Sequence, residues 1–232
     1  MGCNIFWRQK GPPITARFCH LDSTKLEAAK RIFRDWEKAG IVRQSSSSWA
    51  SPLHMVAKKD GSWCPCGDFQ RLNLVTAADK YPVPNMGNFA GQIEGCTIFS
   101  TLDLKNGFLQ VPLHPSVVPK TAIITPFGLF EFLWMPFGLK NTGMLFQWLM
   151  DRVMAGLLFV FVYIDNILDA ATHLEHLRVV FQWLQQAGLQ LNVAKCSFSR
   201  GAVDFVGHRI SAGNSKKGNA GTSGTTLLTL GR

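Results

Sequence analysis

The sequence predicts an α+β fold, because helical patterns and hairpins are interspersed along it rather than alternating as single strands and helices. Apolar residues recur at helical intervals in stretches that begin at a polar capping residue. Between these stretches lie short runs of β-forming residues that are interrupted by tight polar turns. The 232 residues are 47% hydrophobic, which is enough for one large domain or two small ones with real cores.

The first predicted elements are a helix and a hairpin. The segment TKLE at residues 24–27 has the spacing of a capping box, and Gly40 is expected to end the helix that follows it. After a polar break, residues 49–57 have the composition of a strand. The segment KDGS at residues 59–62 is typical of a hairpin turn.

A second hairpin and a second helix are predicted next. Residues 121–125 and 129–134 flank a Pro-Phe-Gly turn, which favours a hairpin. Asn141 can cap a helix that runs to about Gly156. The apolar residues on one face of this helix are Leu145, Leu149 and Val153.

The last predicted helix starts at a capping-box pattern in residues 172–175 and ends at Gly188. Residues 203–211 then have the pattern of a final hairpin. The core-facing stripe of the helix is predicted to contain Leu174, Leu177, Phe181 and Leu184.

Two carboxylates interrupt otherwise apolar strands. The run at residues 159–169 breaks at Asp165-Asn166, and Asp103 lies in a second apolar run at residues 99–104. Asp and Asn are also common in ordinary hairpin turns, so the first run alone does not require a special role. A carboxylate on a buried strand is costly unless it is paired or binds a metal. The second strand-borne carboxylate therefore favours a functional site.

Composition limits the partners. The formal net charge of +9 suits a polyanion such as nucleic acid, although a solvated basic surface gives the same balance. The six cysteines contain no paired CxxC motif, so neither a zinc site nor a disulfide framework is indicated. No apolar run is long enough to cross a bilayer. We expect an intracellular protein, cytoplasmic or nuclear, without a membrane partner.

Ordered motifs across about residues 11–211 resemble the reverse transcriptases of gypsy-type long-terminal-repeat retrotransposons. Their signature is an aromatic residue, any residue and two aspartates on a hairpin, and the segment YIDN at 163–166 matches it except at Asn166. On this resemblance the chain is identified as a degenerate, truncated copy of such a domain. The other matching segments are WASPLHMVAKKDGSW, DFQRLN, DKYPVPN, FSTLDLKNGFLQVPLHP, PKTAIITPFGLFEFLWMPFGLKN and DFVGHRIS.

The resemblance implies a fold of fingers and palm. The fingers would comprise residues 1–78 and 113–140, and the palm residues 79–112 and 141–211. The palm would be an antiparallel ferredoxin-like sheet with helices on one face. Residues 212–232 would be a flexible tail, and the thumb of the family would be absent.

The resemblance also implies RNA-directed DNA polymerase activity, with a primer on an RNA or DNA template and deoxynucleoside triphosphates as substrates. Asp103 and Asp165 would hold two Mg²⁺ ions roughly 3.5–4 Å apart, with Mn²⁺ as a substitute. Asn166 would stand beside them, and Lys195 is a candidate general acid for the leaving pyrophosphate.

Further site residues follow from the matching motifs. The incoming nucleotide would meet Lys58, Lys59, Cys64, Leu104, Phe108, Phe137 and Gly138, with the ring of Phe108 excluding a 2′-hydroxyl. Template and primer would meet Asp68, Arg71, Asn73, Gly207 and His208.

Departures from the family motifs predict impaired activity. Replacing an aspartate by Asn166 removes one unit charge, which is worth on the order of 4 kcal/mol at 4 Å and an effective dielectric of about 20. That energy corresponds to roughly a thousandfold in rate. Cys64, Gln70 and Trp134 also replace residues that are usually arginine in the family. The alternative is thus a catalytically dead remnant that only binds nucleic acid or protein.

Overall fold

A computed structural model describes residues 11–58, 60–85, 96–169, 174–211 and 214–217 of the chain. The helices in these ranges are α1 (Ser23–Lys38), α2 (Gln70–Val75), α3 (Thr142–Val153) and α4 (Leu174–Gln186). The strands are β1 (Val42–Gln44), β2 (Ser51–Ala57), β3 (Trp63–Gly67), β4 (Phe99–Asp103), β5 (Ile123–Thr125), β6 (Gly128–Phe132), β7 (Val160–Tyr163), β8 (Asn166–Asp169), β9 (Ser197–Arg200), β10 (Ala202–Phe205), β11 (His208–Ser211) and β12 (Asn214–Lys217).

The first sheet has the strand order β1-β6-β5-β2-β3. Its strands pair antiparallel except β2 and β5, which are parallel. The β2–β3 and β5–β6 hairpins confirm two predictions from the sequence. Helix α1 packs on this sheet through Phe33, whose ring centroid lies 5.0 Å from that of Phe130. The contact buries both rings and anchors the helix to the sheet.

The second sheet has the order β7-β8-β4-β9 and is antiparallel throughout. Along the chain its elements run β4, α3, β7, β8, α4 and β9, which is the β-α-β-β-α-β arrangement of a ferredoxin-like fold. The predicted ferredoxin-like palm sheet is therefore confirmed. Strands β5 and β6, which belong to the first sheet, are inserted between β4 and α3.

The third sheet, β10-β11-β12, lies against the second. It confirms the predicted final hairpin, and its apolar side chains form a small core with Phe99 of β4 and Leu168 of β8. Strand β12 falls in the stretch for which the sequence predicted a flexible tail. Asn214–Lys217 instead pair with β11, because that edge offers unpaired backbone groups.

The capping of two helices differs from the prediction. Helix α1 begins at Ser23, because the Asp22 carboxylate accepts a hydrogen bond from the Lys25 N–H (2.8 Å) and so caps the helix earlier than Thr24 could. Asn141 does precede α3, but its side chain makes no capping bond. Its amide instead bonds the backbone of Ala77 and Asp79 (2.8 and 3.0 Å), which fixes the segment at residues 77–79.

The buried faces of two helices are rotated from the predicted stripes. In α4 the buried residues are Leu177, Val180 and Leu184, whereas Leu174 is 70% exposed and Phe181 is 38% exposed. The predicted helical spacing is confirmed, but the buried stripe is shifted around the helix, because Val180 rather than Phe181 is buried. In α3 the fully buried positions include Phe146, Gln147 and Met150, and the predicted Leu145, Leu149 and Val153 are half-buried beside them.

Candidate active site

Acidic residues meet at one end of the ferredoxin-like sheet. Asp103 ends β4, and its partner across the strand pair is Asn166, the first residue of β8. Asp165 precedes Asn166 in the two-residue turn between β7 and β8. Leu104, which is itself buried, donates its N–H to the Asp165 carbonyl (3.4 Å) and ties the two strand ends together. The structure therefore unites the residues that the sequence assigned to a metal site.

The turn that carries Asp165 is strained. Ile164 occupies its first position with a φ of 55°, a left-handed conformation that costs a β-branched residue of order 1–3 kcal/mol. Two-residue hairpin turns normally place glycine or asparagine there. Such strain persists only where surrounding contacts hold the backbone in place.

Burial and neighbouring charges both act on the Asp165 carboxyl. Burial raises the pKa of the Asp165 carboxyl, and the negative charge of Asp103 raises it further, while a backbone hydrogen bond and Lys195 lower it. The Lys195 Nζ lies 3.7 Å from Asp103 Oδ1. The Lys195 side chain is 67% exposed, so this ion pair adds little to stability.

The site offers carboxylate oxygens, which are the ligand atoms that Mg²⁺ prefers. Asp103 and Asp165 supply two carboxylates whose mutual repulsion a cation would relieve. Asn166 supplies none, and its Nδ2 donates to Asp165 Oδ1 (3.1 Å), so a hydrogen-bond donor faces an oxygen that a metal would use. Among the described residues, no three His, Cys, Asp or Glu side chains converge as a metal-binding group.

Beside Asp165 the chain makes a close approach at Gly107. A Cβ at this glycine would lie 3.0 Å from the Asp165 Cβ and 3.4 Å from its Oδ2. The next residue, Phe108, is half-buried and makes edge contacts with Phe137 and Phe146 at centroid distances of 5.1 Å each. The predicted nucleotide-pocket residues Phe108 and Phe137 thus form one aromatic surface next to the carboxylates.

The loop that carries Phe137 and Gly138 is tied to helix α2. Asn73 donates from its Nδ2 to the Gly138 carbonyl (2.8 Å) and accepts at its Oδ1 from the Lys140 N–H (2.8 Å). The Lys140 ammonium also donates to the Thr76 carbonyl (3.0 Å). Gly138 has a φ of 88°, which favours glycine at this position. Asn73 is predicted to contact the template, and the structure engages its amide with this loop.

The β2–β3 hairpin presents Lys58 and Cys64. Lys58 is exposed, and its N–H donates to the Ser62 carbonyl (2.7 Å) at the base of the turn, while Lys59 lies outside the described residues. A hydrogen bond from the Cys66 thiol lowers the pKa of Cys64, and Lys58 lowers it as well. The reciprocal effect raises the pKa of Cys66.

The remaining predicted residues lie in two other places. Asp68 accepts from the Gln70 N–H (3.0 Å) and lies 3.6 Å from His54, and Arg71 donates to the Thr15 carbonyl (3.2 Å). Gly207 lies in the turn of the β10–β11 hairpin with a φ of 76°, and His208 is the first residue of β11. In the described part of the chain, the side-chain hydrogen bonds of Asp68, Arg71 and His208 go to partners other than Asp103 and Asp165.

Sequence reasoning missed Gly107 and Gln147. Gln147 is fully buried, and its side chain accepts a hydrogen bond from the Ile164 N–H (2.7 Å) in the strained turn. The available signal was a polar residue inside the apolar run of α3. The pattern of Gly107 gave no signal, because its closeness to Asp165 arises only from the tertiary structure.

The described helices include none that is both long enough and apolar enough to span a membrane. The fold and the site together define a fingers-and-palm protein with two carboxylates at the end of its palm sheet. The family model described as reverse transcriptase (RNA-dependent DNA polymerase) matches residues 56–210. Because this match covers most of the chain, the chain belongs to the reverse transcriptase family.

Similar proteins agree with this assignment. The retrovirus-related Pol polyprotein from transposon 297 of Drosophila melanogaster is 36% identical over 207 residues, covering 84% of this chain and 20% of the polyprotein. The corresponding polyprotein from transposon opus is 38% identical over 184 residues, covering 75% of this chain and 18% of that protein. The chain therefore spans about a fifth of the length of these curated relatives.

Solved structures share the fold. A foamy viral protease-reverse transcriptase in complex with double-stranded DNA matches with a TM-score of 0.82 at 22% identity, covering 89% of this chain and 37% of that one. The native prototype foamy virus protease-reverse transcriptase matches with a TM-score of 0.79 at 25% identity, covering 95% of this chain and 30% of that one. These matches confirm the predicted fingers-and-palm architecture.

Proposed function

We propose that the chain is the RNA-directed DNA polymerase domain of a retrotransposon polyprotein. The observation that carries the proposal is the meeting of Asp103 and Asp165 beside the aromatic surface of Phe108 and Phe137. The substrates would be a primer on an RNA or DNA template and deoxynucleoside triphosphates. This activity belongs inside the cell, in the cytoplasm or the nucleus.

The reaction joins a primer 3′-hydroxyl to the α-phosphate of the nucleotide and releases pyrophosphate. Two Mg²⁺ ions held by Asp103 and Asp165 would stabilise the negative charge that develops on the attacking and leaving oxygens, and Mn²⁺ could replace them. The side chains of Lys58 and Lys195 are exposed, so their ammonium groups can approach the phosphates. Lys195 can also give a proton to the pyrophosphate.

Selection of deoxynucleotides is assigned to Phe108. Its ring makes edge contacts with both Phe137 and Phe146, so it cannot easily turn away from a sugar placed against it. Leu104 and Gly138 would complete the pocket. Cys64 is smaller than an arginine and would give the triphosphate a weaker contact.

Template and primer would lie along the fingers and the β10–β11 hairpin. Arg71 is exposed and presents part of its guanidinium for backbone phosphates, and Asp68 fixes the start of its helix. Gly207 and His208 are proposed to support the primer end. We infer that residues 1–78 and 113–140 form the fingers, since β1, β2, β3, β5 and β6 share one sheet, and that residues 79–112 and 141–211 form the palm.

A second proposal is a catalytically dead remnant that only binds nucleic acid or another protein. Asn166 favours it, because a neutral amide that donates to Asp165 occupies the place of a third carboxylate. The overall charge of +9 would still support binding of a polyanion.

The two proposals are separated by primer extension on an RNA template. The double variant Asn166→Asp with Cys64→Arg should incorporate deoxynucleotides in Mg²⁺, and adding Asp103→Asn to it should abolish incorporation. If the double variant binds primer and template in a salt-dependent manner but never extends the primer, the polymerase proposal fails for this chain and the binding proposal stands.

A further inference from the structure

We propose that a chain of hydrogen bonds, from the partly buried Tyr81 and Asp151 to the fully buried Gln147, positions the turn formed by Ile164 and Asp165, with Gln147 as the residue that holds Asp165 in place for the metal. This inference rests on the proposed polymerase function, because it assigns a task to the turn that carries Asp165. None of the three residues touches Asp165 by a hydrogen bond in the described structure, so they act through the turn's backbone.

Gln147 lies on α3 with its side chain wholly removed from solvent. Its Oε1 accepts from the Ile164 N–H at 2.7 Å, and its Nε2 donates to the Val162 carbonyl at 3.2 Å and to Asp151 Oδ1 at 2.8 Å. Both amide protons and the amide oxygen are therefore engaged. Two of these bonds reach the backbone of the β7–β8 hairpin on either side of Tyr163.

The turn needs such an anchor because its backbone is strained. Ile164 has a φ of 55°, which a β-branched residue adopts only when neighbouring contacts impose it. The Ile164 N–H is satisfied by Gln147 and not by the strand ladder. Asp165 is the next residue, so a change in the Ile164 conformation would move the carboxylate directly.

The hydrogen-bond chain ends at Tyr81, which lies 70 positions before Asp151 in the sequence. The Tyr81 hydroxyl donates to Asp151 Oδ2 at 2.6 Å, and this bond raises the pKa of Tyr81 to about 12. The Tyr81 N–H in turn donates to Asp79 Oδ1 at 2.9 Å, and the Asp79 N–H donates to Asn141 Oδ1 at 3.0 Å. The segment at residues 79–81 is thus linked to the turn through a continuous set of bonds.

A fixed amide orientation follows from this arrangement. Asp151 is an acceptor in its ionised form, so it requires the Nε2 of Gln147 to face it and thereby directs Oε1 toward Ile164. Tyr81 fixes the other carboxylate oxygen. Partners that orient a metal ligand in this way typically contribute about 10- to 100-fold to metal affinity or activity.

The test compares Asn166→Asp, used as the reference, with the same protein carrying Gln147→Leu, Tyr81→Phe or Met154→Ala. Met154→Ala is the control, because Met154 is buried just beyond α3, about two turns from Gln147. The first readout is the hydrogen exchange of the Ile164 amide measured by NMR. The second is binding of Mn²⁺ measured by electron paramagnetic resonance, which needs no turnover.

For Gln147→Leu we expect the Ile164 amide to exchange at least about tenfold faster and the Kd for Mn²⁺ to rise about 10- to 100-fold. Tyr81→Phe should raise the Mn²⁺ Kd by a smaller factor, and Met154→Ala should change neither readout beyond the general loss of stability. In extension assays, Gln147→Leu should lower kcat and leave the KM for nucleotide nearly unchanged.

The inference is overturned if Gln147→Leu and Tyr81→Phe both bind Mn²⁺ like the reference, or if Met154→Ala weakens binding as much. Tyr81→Phe keeps the test decisive if Gln147→Leu does not fold. Failure of the polymerase proposal would give a different result. The reference would then bind Mn²⁺ and its Ile164 amide would exchange slowly, but it would not extend a primer.

Discussion

Asp103 and Asn166 face each other across the central strand pair of the palm sheet, and the Asn166 amide donates to Asp165 at 3.1 Å. The backbone positions for three acidic residues are thus intact, and one of the three side chains is neutral. The neutral amide removes a charge without disturbing the hairpin. From this relationship we expect weak binding of a divalent cation by a chain that keeps the reverse transcriptase fold.

The ionised Asp165 carboxylate should cost stability when no metal is present. Because its pKa is raised in the folded protein, folding favours the protonated form, so its contribution is present below the unfolded value of 3.8 and is lost as the pH rises through the folded value. Asp165→Asn should therefore raise the Tm at about pH 7 in a chelating buffer and have little effect at about pH 3. Thermal unfolding monitored by circular dichroism measures both values.

The matched control for that experiment is Asp204→Asn, since the Asp204 side chain is 74% exposed and makes a surface ion pair with Arg209. Its effect on Tm should be small at either pH. An equal gain in Tm for Asp165→Asn at both pH values would contradict the assigned role of burial and of the Asp103 charge.

The closeness of Gly107 to the site predicts that Gly107→Ala is disruptive. The new methyl would lie 3.0 Å from the Asp165 Cβ, so the turn or the 107–110 segment must shift, at a cost of about 1–3 kcal/mol in the free energy of unfolding. Urea denaturation gives this value. Gly201→Ala is the control, because its Cβ would meet nothing within 4 Å. Equal stability of the two variants would show that Gly107 is not tightly packed.

The two hydrogen bonds from Asn73 predict that this residue holds the loop at residues 138–140 in place. Asn73→Ala removes bonds to Gly138 and Lys140, each worth about 0.5–1.5 kcal/mol net, so the free energy of unfolding should fall by about 1–3 kcal/mol. In the Asn166→Asp protein the KM for nucleotide should rise more than the Kd for template. Leu74→Ala, at a neighbouring position that is 84% exposed, should change neither. A selective loss of template binding would instead support direct contact by Asn73.

Because the Lys195 side chain is exposed, we expect its replacement to lower the rate of catalysis more than the stability of the fold. In Lys195→Met the lost ion pair with Asp103 should change the free energy of unfolding by less than about 1 kcal/mol. A general acid typically contributes about 10²- to 10⁴-fold, so kcat in the Asn166→Asp protein should fall by at least about 100-fold. Rapid-quench extension measures this. A kcat close to that of the reference would remove Lys195 from the reaction.

Local patterns were sufficient to single out Asp103 and Asp165 as candidate site residues and to predict the hairpins. An acidic residue within an apolar β-forming run, as at Asp103 and Asp165, is visible in the sequence because burial makes it costly. The family resemblance then supplied the ferredoxin-like topology. The predicted capping box at Thr24 was wrong because Asp22 competes successfully two residues earlier.

Contacts between distant segments could not be predicted in the same way. Tyr81 and Asp151 are 70 positions apart, and the bonds from Asn73 to the 138–140 loop span 65 and 67 positions. Their side chains are ordinary for exposed loops and helices, so only the tertiary structure reveals that they support the site. The strain at Ile164 was also invisible, because isoleucine predicts a strand and not a turn.

The most direct test of the account is the single-turnover rate of primer extension in Mg²⁺ for the native chain and for Asn166→Asp under identical conditions. Restoring the unit charge should raise the rate by roughly a thousandfold, as expected for on the order of 4 kcal/mol. Equal rates, whether both fast or both undetectable in proteins that bind the template, would show that the missing carboxylate at Asn166 does not set the activity of this site.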